Sequence, residues 1–281
     1  MIIWLASYPR SGNTLLRTVL QQTMGLHSLP ERTEWPRLLQ SKVSPNENSQ
    51  AFGEIHPEMP WEEFYPMATA SEQVHLVKTH EGPIDDQPAI YVVRNGRKAI
   101  YSYLQYHQKL LPEIGRTLVE LVTGHDYYGD WSSHYHAWND EFASAPRLLV
   151  RFEDLREASP ALLQRLAGFV SHTVEPRPWA NPFATLQQRE PLVFREGKSQ
   201  WERPADWTRE VDWLFRVFHG QLMSTLGYEE AEMESNTDVW ETWIEQAANT
   251  AMQCLEASEM MHQSVRRTEA QTALLRARLQ L

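Results

Sequence analysis

The chain has 281 residues, of which 42% are hydrophobic and 22% are charged, with a formal net charge of −11 and one cysteine. These proportions are typical of a folded globular protein that is long enough to build a large α/β domain. The acidic balance argues against nucleic acid or an anionic membrane as a partner. A lone Cys254 excludes an internal disulfide and gives no cysteine cluster, so we predict no metal site.

The chain opens with a predicted strand at residues 2–6, a loop at 8–14 (Y-P-R-S-G-N-T) and a predicted helix at 13–24. Amide groups at a helix N-terminus have no intrahelical partner, and the helix dipole adds positive potential there. The segment therefore predicts a site for a phosphate-like anion, although a purely structural turn could use similar residues. It lacks the G-x-x-x-x-G-K-[ST] spacing of ATP and GTP phosphate loops, which disfavours an ordinary nucleotide hydrolase.

The next segment, residues 27–70, is rich in proline. Its prolines are Pro30, Pro36, Pro45, Pro57, Pro60 and Pro66. Because proline interrupts helices and central strands, we expect an irregular insertion here and not a series of core elements. Such an insertion could cover the pocket for an acceptor, or it could be a surface ornament.

Further strands and helices alternate along the rest of the chain. The predicted strands are 74–78, 89–93 and 147–151, and the predicted helices are 96–108, 130–143, 159–170 and 207–226. This alternation implies a parallel sheet with helices on both faces. Ligands of such sheets bind beyond the carboxyl ends of the strands, so Lys78, His80 and Arg94 should meet the first loop at one pocket.

Six short motifs follow one another in this sequence. They are Y-P-R-S-G-N-T (8–14), K-T-H (78–80), R-N-G-R-K-A-I-Y-S-Y (94–103), G-D-W-S-S-H (129–134), R-F-E-D-L (151–155) and F-R-E-G-K (194–198). In this order they resemble the signatures of sulfotransferases that use 3′-phosphoadenosine 5′-phosphosulfate (PAPS). The resemblance covers about residues 1–230 and implies one α/β sulfotransferase domain, P-loop-like, with a central parallel sheet flanked by helices.

The resemblance also implies which residues hold PAPS as a co-substrate, with no metal required. At the 5′-phosphosulfate they are Arg10, Ser11, Gly12, Asn13 and Thr14. At the 3′-phosphate they are Arg94, Ser102, Arg195 and the backbone at Gly197, and Glu196 is counted among the donor-binding residues. Guanidinium groups bind phosphate in a bidentate way, so paired arginines suit this end of the donor.

Three residues are candidates for the chemistry. His80 is the candidate general base, because an imidazole with a pKa of about 6.5 can accept a proton near neutral pH. Lys78 lies on the same side of an extended segment and would stabilise charge on the sulfuryl oxygens. Arg10 stands where many family members carry a lysine; since arginine is a poor proton donor, it would help the leaving phosphate electrostatically. Outside the family pattern, a lone histidine or lysine is more often structural.

A helical face made of Trp131, His134 and Trp138 is typical of core packing. By resemblance, however, this segment lies near the acceptor, so Trp131 and His134, with Tyr103, are candidate acceptor-side residues. The acceptor itself would be a hydroxyl, or an amine, of a small molecule or a glycan.

The last segment, residues 236–281, carries a stripe from Trp240 to Leu279 at alternating spacings of four and three. This pattern predicts one long helix, which could join two copies as a coiled-coil homodimer or fold back on its own domain. There is no basic n-region, and the first apolar run is too short for a signal peptide or a membrane span. We therefore expect a cytoplasmic protein.

Two other functions stay open from the sequence. The strand–loop–helix opening would also suit a phosphate-loop kinase, although the K-T-H segment counts against it. A non-catalytic nucleotide-binding protein could keep the same fold and use its helical tail to recruit a partner; the presence of both Lys78 and His80 counts against that.

Overall fold

The computed structural model describes residues 1–41, 52–139, 145–170, 174–182, 188 and 201–228. Three predicted donor-binding residues, Arg195, Glu196 and Gly197, lie outside the described residues. The tail at 236–281 also lies outside them, so the long helix and the homodimer stay predictions.

Five parallel strands form the central sheet. They are β1 (Ile2–Ser7), β2 (Ser28–Leu29), β3 (His75–Thr79), β4 (Ala89–Val93) and β5 (Arg147–Arg151). Their order is β2-β3-β1-β4-β5, and β1 pairs in parallel with β3 on one side and β4 on the other. The predicted parallel sheet is confirmed, and β4 and β5 have the predicted bounds.

Helices cover both faces of this sheet. In the described residues they are α1 (Asn13–Met24), α2 (Trp35–Ser41), α3 (Trp61–Ala70), α4 (Gly96–Leu110), α5 (Leu118–Thr123), α6 (Trp131–Asn139), α7 (Phe152–Glu157), α8 (Pro160–Val170) and α9 (Arg209–Thr225). Short 3-10 turns occur at Arg32–Glu34 and Pro112–Ile114. None of these described helices combines the length and apolar content needed to cross a bilayer.

The expectation of an irregular stretch at 27–70 is wrong for its described parts, which contain β2, α2 and α3. Pro36 lies in the first turn of α2, where a missing N–H is tolerated. Pro66 lies inside α3, where proline is normally unfavourable. Phe64 and Ala68 of the same helix are buried in the core. Burial of this apolar face therefore outweighs the local penalty of the proline.

The central strand β1 supplies both cores of the domain. Its successive residues point to opposite faces of the sheet, as in any strand. Ile3 and Leu5 belong to the core formed with α1 and α8, whereas Ile2 and Trp4 belong to the core formed with α4, α5 and α9. All four side chains are buried. A strand covered on both faces is rigid, so the loop that follows it starts from a defined position.

A partly buried ion pair ties α9 to α4. The Nε of Arg97 donates to Oδ1 of Asp212 at 2.9 Å, and the guanidinium lies 4.4 Å from the ring centroid of Phe215. Trp207 and Arg216 also donate to the same carboxylate. Burial opposes ionisation of Asp212, but the hydrogen bond and charge of Arg97 outweigh it and lower the pKa of the carboxyl. The carboxylate is therefore charged at neutral pH, and it accepts from all three donors.

Replacing Asp212→Ala should lower the free energy of unfolding by about 3 kcal/mol, because Arg97 would keep a buried charge without its carboxylate. Chemical denaturation measures this loss. The exposed Glu113 offers a control, since Glu113→Ala should change the free energy by less than about 0.5 kcal/mol. An Asp212→Ala protein as stable as the wild type would contradict the assignment.

Candidate functional site

A cavity of about 890 Å³ lies at the carboxyl ends of the central strands. Arg10 from the loop after β1, Lys78 and His80 from the end of β3, and Arg94 from the end of β4 all line it. Since β1 lies between β3 and β4, the segments that leave these strands are neighbours. Open parallel sheets bind ligands at such an edge. The structure thus brings the first three sequence motifs together at one cavity.

The loop after β1 has an unusual backbone. Arg10 has φ 63° and Gly12 has φ 114°, both in the left-handed region that favours glycine. A Cβ added at Gly12 would lie 2.6 Å from Cδ2 of Phe152. Nδ2 of Asn13 donates to the carbonyl of Leu5 at 2.7 Å and ties the loop back to β1. The loop is therefore held in one shape before any ligand arrives, with the first turn of α1 at the cavity.

Four of the five predicted loop residues line the cavity: Arg10, Gly12, Asn13 and Thr14. Ser11 is different, because it is fully buried and is not part of the cavity wall. Its hydroxyl has no hydrogen-bond partner among the described residues. Ser11 therefore contributes to the packing of the loop and not to the lining.

Arg94 holds the loop after β1 in place through its side chain. Its Nη1 donates to the carbonyl of Arg10 at 3.0 Å, and its guanidinium lies 4.5 Å from the ring centroid of Phe152. Burial lowers the pKa of Arg94 to about 10, so the group is still a cation at neutral pH. Its Nε is buried and has no hydrogen-bond partner within the described parts of the chain. Ser102, predicted to act with Arg94, also lines the cavity, and its Oγ is 3.5 Å from Nε of Arg10.

Lys98 also lines the cavity, although no role was predicted for it from the sequence. It lies in the first turn of α4, and its N–H donates to the side chain of the N-cap residue Asn95 at 3.3 Å. The signal that could have found it is its place in the R-N-G-R-K segment, in the first helical turn after β4, because that turn begins at the carboxyl edge of the sheet. With Arg10 and Arg94 it gives this part of the cavity a positive potential.

His80 lies directly beyond β3, and its Nδ1 is 2.7 Å from the carbonyl oxygen of Ser7 at the end of β1. A carbonyl oxygen only accepts, so Nδ1 carries the proton and Nε2 is the basic nitrogen. None of the described residues hydrogen-bonds to Nε2. Burial lowers the pKa of His80 well below its usual value, and the charge of Lys78 adds to this. The imidazole is therefore neutral near pH 7, with one nitrogen able to take a proton.

Lys78 is paired with two glutamates in the cavity wall. Its Nζ lies 2.7 Å from Oε1 of Glu34 and 3.5 Å from Oε2 of Glu31. Neither glutamate was predicted as a site residue, because no motif marks them within the proline-rich segment. They follow β2, a strand of two residues whose pairing with β3 brings them beside Lys78. To contact a sulfuryl group, the ammonium group of Lys78 would have to bind it beside these carboxylates or break its ion pairs with them.

The three candidate acceptor-side residues are placed differently. Tyr103 lines the cavity, together with Tyr106 and Tyr128. Trp131 is fully buried against the backbone of Gly96 and does not line it. His134 is also buried behind the wall, because α6 packs its apolar face onto the sheet. The core-packing interpretation of this helical face therefore describes both Trp131 and His134.

The chain belongs to the sulfotransferase domain family, whose family model matches residues 2–189. Mouse sulfotransferase 1B1 is 28% identical over 116 residues, which is 36% of this chain and 38% of that protein. Mouse sulfotransferase 4A1 is 24% identical over 191 residues, which is 60% of this chain and 59% of that protein. The chain thus spans at most 59% of the length of these two curated relatives.

A solved structure agrees with the fold. The crystal structure of mouse sulfotransferase SULT7A1 complexed with PAP matches with a TM-score of 0.51 at 17% sequence identity. The match covers 82% of this chain and 89% of that chain. The family resemblance and the P-loop-like α/β fold expected from the sequence motifs are thereby confirmed.

Replacing Gly12→Ala should lower the free energy of unfolding by about 2–3 kcal/mol, since the new Cβ is strained by φ and collides with Phe152. Gly25, just after α1, has φ 68° with nothing within 4 Å of an added Cβ. Gly25→Ala is therefore the matched control and should cost only about 1 kcal/mol. Denaturation curves compare the two. An equal or larger loss at Gly25 would contradict the close packing of Phe152 on the loop.

Proposed function

We propose that this protein transfers a sulfuryl group from PAPS to a hydroxyl or an amine of a small-molecule or glycan acceptor. Transfer is in line, and His80 is the general base. The observation that carries the proposal is the cavity in which a cationic, preformed loop and a neutral imidazole with a free Nε2 line the same space. Membership of the sulfotransferase family supports the type of reaction.

The donor would be bound at the loop end of the cavity. Arg10, Arg94 and Lys98 provide the positive charge, and the amides of the first turn of α1 provide further donors. The buried Nε of Arg94 without a partner among the described residues suits an added anionic acceptor of hydrogen bonds. SULT7A1 is complexed with PAP, and we extend that ligand class to this chain by proposal. The roles of Ser102, Arg195, Glu196 and Gly197 stay part of the same proposal.

In the transfer step, His80 takes the acceptor proton at Nε2 while the acceptor atom forms its bond to sulfur. The bond between sulfur and the bridging phosphate oxygen breaks, and Arg10 steadies the negative charge left on the phosphate. Lys78 stabilises charge on the sulfuryl oxygens. Electrostatic help of this kind needs groups that are already in place, which the hydrogen-bonded loop and the fixed imidazole supply.

No observation on the described residues favours a kinase or a non-catalytic binding protein over this reaction. Within these residues, no group of three or more His, Cys, Asp or Glu side chains could hold a metal ion. That the reaction needs no metal, that the protein is cytoplasmic and that the tail forms a homodimer all stay predictions.

Adenosine 3′,5′-bisphosphate should raise the melting temperature of the protein, and magnesium-ATP should not. A ligand at 100 times its Kd stabilises a protein by about 2.7 kcal/mol, which differential scanning fluorimetry detects easily. Arg94→Ala should remove the shift. Arg165→Ala, at an exposed position of α8, should keep it. A shift with magnesium-ATP alone would contradict the proposed donor.

His80→Ala should reduce turnover with PAPS by about 10²–10⁴-fold and leave binding of the bisphosphate intact, because only the proton acceptor is lost. The lowered pKa of His80 adds a pH signature: kcat/KM, which reports the free enzyme, should stay level from about pH 8 to pH 6.5 and fall only below that. His27→Ala, at an exposed histidine, is the control. An acidic limb centred above pH 6.5, or unchanged turnover in His80→Ala, would remove His80 from this role.

A further inference from the structure

The main chain of His80 is held by side chains. Strand β3 ends at Thr79, so the N–H and C=O of residue 80 lie beyond the strand. Both are nevertheless paired: Oε1 of Glu31 accepts from the N–H, and Nε2 of His134 lies 2.9 Å from the carbonyl oxygen. Buried backbone groups need such partners. Both partners, Glu31 and His134, bond through their side chains. Each can therefore be substituted without changing the backbone of residue 80.

Only one tautomer of the neutral His134 ring fits its two hydrogen bonds. Nε2 faces a carbonyl oxygen and must donate, so Nδ1 accepts, and the hydroxyl of Tyr91 in β4 lies 2.8 Å from it. Tyr91 and His134 are both buried. Burial lowers the pKa of His134 to about 4, so the neutral ring keeps both bonds throughout the neutral range. A continuous series of hydrogen bonds thus runs from the sheet through His134 to the carbonyl of residue 80.

Glu31 contacts both residues that the proposed reaction uses at the end of β3. One carboxylate oxygen accepts from the N–H of His80, and the other lies 3.5 Å from Nζ of Lys78. The side chain is only 2% exposed. Burial raises the pKa of Glu31, while the charge of Lys78 and the His80 N–H act in the opposite direction. A single buried carboxyl therefore contacts the main chain of His80 and the ammonium group of Lys78 at the same time.

We propose that Glu31 and His134 are positioning residues for sulfuryl transfer. They hold the peptide groups of residue 80 from two sides, while the Ser7 carbonyl holds Nδ1, and together these contacts aim Nε2 into the cavity. Neither residue has to touch the acceptor or exchange a proton. The inference rests on the proposed function, since it assigns these residues to the His80 step. A misplacement of about 1 Å can cost about 10²-fold in rate, so such contacts matter for kcat.

The chain contains a matched control for His134. His219 is also buried, with Nδ1 2.8 Å from Oγ of Ser132 and Nε2 2.9 Å from the carbonyl of Val122. Burial lowers its pKa to about 4 as well. It therefore repeats the hydroxyl–imidazole–carbonyl arrangement, but it is not among the residues that line the cavity. Substitutions at His219 reproduce the folding cost of losing a buried histidine without releasing residue 80.

The experiment compares His134→Leu and His134→Gln with His219→Leu and His219→Gln. The proposal expects His134→Leu to lower kcat by about 10²-fold while the Kd for adenosine 3′,5′-bisphosphate stays within about twofold. His134→Gln, whose amide N–H can replace Nε2–H, should recover at least about tenfold of that loss. His219→Leu should lose similar stability and keep kcat within about twofold. Equal losses of kcat at the two histidines, or none at His134, would overturn the assignment.

The second arm tests Glu31. Glu31→Gln keeps an oxygen that can accept from the His80 N–H, whereas Glu31→Ala removes it, so kcat should fall further in Glu31→Ala at unchanged affinity for the bisphosphate. The same kcat in both variants, equal to that of the wild type, would overturn the role of Glu31.

Should His134→Leu fail to fold, Tyr91→Phe is the milder variant. It removes the hydroxyl that fixes the His134 ring and should lower kcat without weakening bisphosphate binding.

If the wild-type protein shows no sulfuryl transfer, the proposed function is wrong. A separate measurement then tests whether His134 positions the ring of His80. Histidine labelled with ¹⁵N reports by NMR which ring nitrogen of His80 carries the proton. The proposal expects a single Nδ1–H form in the wild type and in His219→Leu, and a mixture of both forms in His134→Leu. A single unchanged form in His134→Leu would overturn the positioning role.

Discussion

The hydrogen bond from Nδ1 of His80 to the carbonyl of Ser7 joins the ends of two neighbouring strands and decides which ring nitrogen can take a proton. It exists because β1 and β3 pair in parallel, so both strands reach the same edge of the sheet. The carbonyl can only accept, which leaves Nε2 as the nitrogen without a proton. Burial keeps the ring neutral. Sheet topology, and not a special local sequence, thereby sets the chemistry of this imidazole.

Charge is distributed unevenly around the same cavity. Arg94 is held by a backbone carbonyl and an aromatic face, and no carboxylate forms an ion pair with it among the described residues. Lys78, by contrast, contacts both Glu31 and Glu34, and Arg17 pairs with Glu54. An added anion would therefore gain more at Arg94 than at Lys78, where it must compete with carboxylates.

Four of the five strands of the sheet were predictable because their signals are local, whereas β2 was not predicted. β1 is a continuous apolar run that is buried on both faces, and the alternation of strands with helices implied parallel pairing. The proline-rich segment was mispredicted for the opposite reason. The penalty of Pro66 is local, whereas the burial of Phe64 and Ala68 that overcomes it depends on the rest of the core. The stripe on α6 was ambiguous by sequence, and packing on the sheet settled where Trp131 and His134 lie.

The sequence by itself determined four of the five strands, the strand–loop–helix opening and the placement of Lys78, His80 and Arg94 at strand ends, because all of these follow from short-range patterns and the shared direction of parallel strands. Only the tertiary structure decided the proton position on His80, the carboxylate partners of Lys78 and the side chains that hold residue 80. The three contacts of residue 80 join residues 49, 54 and 73 positions apart in the chain. No local pattern encodes such separations; they arise where the folded sheet brings the ends of distant segments to one edge.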